Sequence, residues 1–203
     1  MTITIKSIEE KDFDEARRFA VHGMHLDWYA TSKLELYFYS KYFWYLELTK
    51  ATRALGAYQG DRLVGILLVD MKNEPKIYST FFRRMFVGVS EFLIEKFYGD
   101  TADVYDQANQ DMLAELLKKE QPDGELNFFA IDPEIKGKGL GTLMLDELQR
   151  LEAGKFIYLY TDSGSTYQFY HRRGFEESGR RDVTLKIKGQ DLPLTCFLFS
   201  KRL

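Results

Sequence analysis

The sequence predicts an α/β fold, a mixed and mostly antiparallel sheet with flanking helices, and three observations carry that prediction. Two pairs of apolar runs flank short polar turns, as antiparallel hairpins do. Amphipathic segments at helical spacing lie between and around them. Between Glu125 and Leu151 an apolar strand passes through a lysine and glycine run directly into an amphipathic helix. With 203 residues, 45% apolar and 15% aromatic, the chain can close one sizeable core, so residues 1–203 are expected to form one domain.

Element by element, Thr2 to Lys6 alternates apolar Ile3 and Ile5 with polar neighbours and opens the sheet. From Ser7 to Arg18 an acidic start (Glu9, Glu10, Asp12, Asp14) favours a helix, continued by Phe13, Ala16 and Phe19. A second helix is expected over Ser32 to Leu48. It carries Tyr37, Phe38, Tyr39, Tyr42, Phe43, Trp44 and Tyr45, more aromatics than one buried face needs. Thr52 to Tyr58 and Leu63 to Asp70 flank Gln59-Gly60-Asp61-Arg62 and read as a hairpin.

Residues 72–124 hold ten acids against seven bases, a difference of three that equals the net charge of −3. Phe86, Val89, Leu93 and Phe97 suggest one helix there, and Met112, Leu113, Leu116 and Leu117 another. This segment reads as a helical insertion between the third and fourth strands, either an elaboration burying its own apolar faces or a cover for a binding site. After Leu140 the residues Leu143, Met144, Leu148 and Leu151 share a helical face, and Gly154 ends that helix. Phe156 to Tyr160 is a strand. Ser163 can cap a helix bearing Tyr167 and Tyr170 that stops at Gly174. Val183 to Lys188 and Leu194 to Ser200 flank Gly189-Gln190-Asp191 as a closing hairpin.

The run Lys136-Gly137-Lys138-Gly139-Leu140-Gly141-Thr142 reads as a phosphate-binding device. Glycines let the backbone approach a ligand, the helix start offers unpaired N–H groups, and the lysines add positive charge. A Walker A loop is excluded, because Thr142 and Leu143 stand where a lysine is required. A dinucleotide fingerprint needs G-x-G-x-x-G, whereas the glycines here run G-x-G-x-G. Asp162 lies about twenty residues on, but no succession of parallel βαβ units surrounds the loop.

The loop resembles the Q/R-x-x-G-x-G/A acyl-CoA loop of the GCN5-related N-acetyltransferase (GNAT) superfamily, with Lys136 in place of the usual arginine or glutamine. Lysine keeps the charge but loses the planar fork that arginine brings to phosphate. The resemblance extends in order to the glutamate-bearing strand ELNFFAIDP, the strand KFIYLYTD and the segment STYQFYHRRGF. There Tyr170 precedes Gly174-Phe175 as in the family's second motif. It implies a single-domain acyl-CoA N-acyltransferase fold and direct acetyl transfer from acetyl-CoA to a primary amine, without metal. The family position of Glu125 is that of a general base, its other reading being a strand-end carboxylate. Phe128 and Phe129 are expected to wall it off and raise its pKa. Tyr170 takes the position of the general acid for the CoA thiolate, its other reading being a core aromatic. Phe129, Ala130 and Ile131 would present backbone groups to the pantetheine arm.

The acceptor is a small-molecule or peptide amine that the sequence does not specify. A non-catalytic acyl-CoA-binding regulatory module is the rival class, and an NAD-binding oxidoreductase a distant third. The charge balance, with no basic tract, argues against nucleic acid. No run of eighteen apolar residues or leader-like start is seen, so a soluble cytoplasmic protein is expected, without membrane association. Cys196, the single cysteine, reads as buried filler in LTCFLF. His22, His25 and Asp27 have no fourth partner at a metal-ligand spacing and read as aromatic or acceptor-site packing. The aromatic helix is expected to serve core packing together with an insertion contact or a possible homodimer contact, with an acceptor-pocket lining as the other reading.

Overall fold

The computed structural model describes residues 2–135 and 139–203, with side-chain description omitted for residues 95–103. The order of elements is β1 (Ile3–Ser7), α1 (Phe13–Gly23), α2 (Lys33–Lys50), β2 (Arg53–Gln59), β3 (Arg62–Met71), α3 (Phe81–Leu117), β4 (Gly124–Ile131), α4 (Leu140–Leu151), β5 (Phe156–Asp162), α5 (Gln168–Arg172), β6 (Glu176–Ile187) and β7 (Gln190–Arg202). Among the described residues the sheet has seven strands in the order β1-β2-β3-β4-β5-β7-β6. It is mixed: β1·β2, β2·β3, β5·β7 and β6·β7 pair antiparallel, while Gly124 and Glu125 pair parallel with Ile157 and Tyr158. The chain is therefore α/β with a mostly antiparallel sheet, as the sequence predicts.

Two compact units are distinguished. The first comprises Met1–Val87 and Leu126–Ala153, the second Gly88–Glu125 and Gly154–Leu203. The first unit's core gathers Phe13, Phe19, Trp44, Leu48, Ile66 and Phe128 from the helices and strands that flank it. Trp44 and Phe43 both meet Phe128 edge-on, at 5.9 and 6.0 Å, so the aromatic helix spends part of its excess on the core. Tyr45 meets Phe86 of α3 at 5.5 Å, which is the insertion contact expected of it. Tyr58 donates to buried Asp12 at 2.6 Å, and burial followed by that carboxylate pushes its phenol pKa up. In the second unit Ala108, Met112 and Leu116 of α3 pack with Phe156, Cys196 and Leu198. A Cβ at Gly179 would come within 2.8 Å of Met112, so the helix lies close on β6 only because residue 179 is glycine.

Three local expectations are corrected. The first helix begins later than Ser7, because β1 runs through Ser7 and Glu9 and Asp12 form a capping box around a short 3-10 turn that delays α1 to Phe13. Residues 81–117 form one continuous helix rather than two, since no proline interrupts them and a helical glycine costs only about 1 kcal/mol relative to alanine. Its inward face near the start is Arg83, Phe86, Val87 and Ser90, so Val89 and Leu93 point outward instead. Ser163 does not cap α5. Its hydroxyl accepts from the Thr195 N–H at 3.0 Å, and Tyr167 precedes the helix. Among the described residues no helix is long and apolar enough to cross a membrane.

Candidate functional site

In the first unit, β4 leads to α4 through a turn fixed by Asp132. Its side chain is fully buried, accepts from Arg62 at 2.6 Å and from the Glu134 N–H at 3.0 Å, and lies 3.4 Å from Arg18. The Asp132 N–H donates to Val64 O at 2.9 Å, and the Ile135 N–H closes the turn onto Asp132 O at 2.9 Å. Buried carboxylates persist when paired and hydrogen-bonded on all sides, and this one ties the loop to β3 and α1. Lys136, Gly137 and Lys138 lie outside the described residues.

Gly139 is the N-cap of α4, with φ 68° and ψ 12°, a left-handed conformation that glycine adopts without strain. It has no side chain to cap the helix, and the first intrahelical bond runs from the Leu143 N–H to Gly139 O at 3.1 Å. The N–H groups of Leu140, Gly141 and Thr142 thus stand ahead of the helical ladder, where an anion can receive them. Among the described residues, its chain neighbours aside, a Cβ at Gly139 would meet nothing within 4 Å, so glycine is required there by conformation.

The helix is seated by two further contacts that sequence reasoning missed. At Gly65 of β3 a Cβ would fall within 2.8 Å of Ile131 and 2.9 Å of Met144, so the missing side chain lets α4 lie against the sheet. At the other end Arg53 Nε donates to buried Glu152 at 2.5 Å. Neither Gly65 nor Asp132 carries a spacing signal; only the turn-forming Asp-Pro pair at 132–133 hints at the second.

Strand β4 alternates strictly: Gly124, Leu126, Phe128 and Ala130 are buried, and Glu125, Asn127, Phe129 and Ile131 less so. Phe128 therefore sits on the face opposite Glu125, in the Trp44 core, and cannot wall the carboxylate off. Of the expected pair only Phe129 shares its face. Asn127 donates to Glu47 O at 3.0 Å and to Glu47 Oε2 at 2.8 Å, while its own carbonyl oxygen is buried with no partner among the described residues.

In the second unit the Tyr158 hydroxyl donates to Glu125 Oε2 at 3.0 Å. Tyr160 meets Tyr158 edge-on at 5.4 Å, and burial, then the Glu125 charge, pushes its phenol pKa up. Tyr105 of α3 donates to Asp162 at 3.0 Å, so the insertion helix reaches the same strand, β5. Tyr170 lies on α5 among Phe169, Phe175 and Phe199, with ring centroids 5.5 to 6.0 Å apart. The Phe175 N–H folds back onto Tyr170 O at 3.1 Å across Gly174, whose φ is 77°. Burial drives the Tyr170 pKa upward. Cys196 is buried and its thiol pushed up to about 12, first by burial and then by Asp162 and Asp182, which removes it as a nucleophile. His25 stacks on Trp28 at 4.3 Å, the packing role expected of it. Among the described residues no three His, Cys, Asp or Glu side chains are grouped to hold a metal ion.

Residues 104–177 match the family described as an acetyltransferase (GNAT) domain, a span that covers β4, the loop, α4, β5 and α5. No curated protein sequence matches the chain. Among solved structures, one described as histone acetyltransferase HPA2 and related acetyltransferase, from Corynebacterium glutamicum, is 17% identical with a TM-score of 0.59, covering 98% of this chain and 96% of that one. The PaiA N-acetyltransferase of Thermoplasma acidophilum, solved with coenzyme A, is 14% identical with a TM-score of 0.54, at 100% coverage of both chains. NAA60 of Arabidopsis thaliana, solved with a bisubstrate analogue, is 12% identical with a TM-score of 0.55, covering 98% and 97%. At such identities the likeness is one of fold. The domain match lies over both motif segments, so residues 104–177 are similar to the acetyltransferase (GNAT) domain family, and the chain as a whole shares the fold of these solved acetyltransferases.

Proposed function

We propose that this protein transfers the acetyl group of acetyl-CoA directly to a primary amine. The observation that carries the reading is the start of α4. Gly139 in the left-handed conformation caps the helix with no side chain, and leaves the N–H groups of Leu140, Gly141 and Thr142 for an anion. The residues fit a CoA pyrophosphate there, and the coenzyme A bound in the PaiA structure supports the same ligand. Lys136 and Lys138 add charge to that site, and the backbone of Phe129, Ala130 and Ile131 receives the pantetheine arm.

In the transfer, the amine nitrogen forms a bond to the thioester carbonyl carbon and the carbon–sulfur bond breaks, its electron pair leaving on sulfur. An ammonium with a pKa of about 10.4 must first lose a proton, which near pH 7 costs about 4 to 5 kcal/mol. Glu125 accepts that proton, held in position by the Tyr158 hydroxyl. Tyr170, a phenol that is protonated at neutral pH, donates its proton to the departing thiolate, and the second proton of the attacking nitrogen, released as the carbon–sulfur bond breaks, restores the phenol and leaves a neutral amide and a thiol.

The test is a panel of primary amines incubated with acetyl-CoA, read by thiol release and by mass spectrometry of the amine. With the acceptor found, Glu125→Gln should depress kcat/KM most near neutral pH and recover at higher pH by up to about tenfold per unit, as the amine arrives neutral. Equal loss at every pH would assign Glu125 to positioning. Absence of any acetylated amine, with acetyl-CoA bound, would favour a binding module.

A further inference from the structure

Helix α3 is apolar on two faces near its start, and among the described residues only one of them is covered. The inward face carries Phe86 against Tyr45, buried Val87, and Arg83, which ion-pairs with Glu10 at 2.5 Å. On the outward face Phe82, Met85, Val89 and Phe92 follow one another at steps of three, four and three, the seam of a two-helix packing. They are 74%, 51%, 56% and 63% exposed, flanked by Phe81 at 67% and Leu93 at 46%. A helix facing water normally shows a polar face, whereas these outward positions hold an uncharged stripe.

We propose that this stripe pairs with the same stripe of a second copy of the chain, the two helices running antiparallel about a two-fold axis. The stripe is symmetric in a way that such pairing requires: Phe82 meets Phe92 and Met85 meets Val89 of the other copy, each twice. Gly88, exposed near the centre with nothing within 4 Å of where its Cβ would stand, lets the backbones approach. The six side chains offer roughly 600 to 700 Å² per copy, about 1,300 Å² in a symmetric pair, within the range of stable interfaces.

Sedimentation velocity of the full chain over a concentration series reads the association directly. The unaltered protein should sediment as a dimer. Met85→Lys and Val89→Glu should each weaken it on the order of a hundredfold, because a charge is buried against an apolar partner. Both positions are more than half exposed, so unchanged melting temperatures will confirm that the variants fold. The double variant Met85→Lys/Val89→Glu should restore the dimer, since antiparallel pairing brings the new lysine to the new glutamate. Parallel pairing would oppose like charges. A monomer at every concentration, a dimer indifferent to the single variants, or a double variant that stays dissociated would overturn the proposal. So would a monomer that co-sediments with anionic phosphatidylserine vesicles, which would assign the stripe to a membrane surface.

Discussion

Gly139→Ala, set beside Gly154→Ala, separates the conformational role of the loop glycine from its ligand role. Both glycines have positive φ, 68° and 83°, and among the described residues, chain neighbours aside, a new Cβ at either would meet nothing within 4 Å. The only folded-state cost of either substitution is therefore the left-handed conformation, about 1 to 2 kcal/mol for an L-residue. In a chain of this size that corresponds to a melting temperature lower by about 2 to 8 °C, and the two variants should fall by similar amounts. Their ligand affinities should diverge. The added methyl at Gly139 stands beside the open N–H groups of α4, and loss of one charge-assisted hydrogen bond, about 1.5 to 3 kcal/mol, weakens binding by about 10- to 100-fold. Calorimetric titration of coenzyme A into each folded variant decides it. Gly154→Ala should bind as the parent does. Equal affinity of the parent and Gly139→Ala would show that Gly139 is only a turn residue, and equal weakening of both variants would show that lost stability accounts for the effect.

Two other substitutions test the turn and the proposed acid. Asp132→Ala removes the acceptor of Arg62 and of the Glu134 N–H from a fully buried position, so urea denaturation should show a loss of about 2 to 3 kcal/mol; a loss under about 0.5 kcal/mol would mean that water replaces the carboxylate. Tyr170→Phe should lower kcat on the order of 10- to 1000-fold while leaving acetyl-CoA affinity nearly intact, because the lost donor acts only as charge develops on sulfur; unaltered kcat with chemistry rate-limiting would return Tyr170 to the aromatic core.

The hairpins were legible because their signals are local. Gly60, with φ 63°, and Lys188-Gly189, with φ 50° and 77°, turn where the apolar alternation stops, and the strands extend from those turns. Helix α4 was legible from its one-sided apolar pattern and from the glycines at both ends. What escaped is what depends on partners distant in sequence. Gly65 is glycine because Met144 and Ile131 press on it, and Asp132 is buried because Arg62 and Arg18 reach it. The expectation that Phe128 walls off Glu125 ran against the strand alternation that was itself readable, since residues an odd number of positions apart in a strand point to opposite faces. In α3 periodicity found two helical segments but not their continuity, and the repeat it picked joins inward Phe86 to outward Val89 and Leu93, because a helix apolar on two sides gives no direction for the core.

The central claim is that the glycine loop and the start of α4 hold acetyl-CoA, and thermal denaturation with added ligands tests it most directly. Acetyl-CoA at about a hundred times its dissociation constant should stabilise the protein by about 2.7 kcal/mol, raising the melting temperature by several degrees, while NAD at the same concentration should leave it unchanged. A shift with NAD and none with acetyl-CoA would contradict the account.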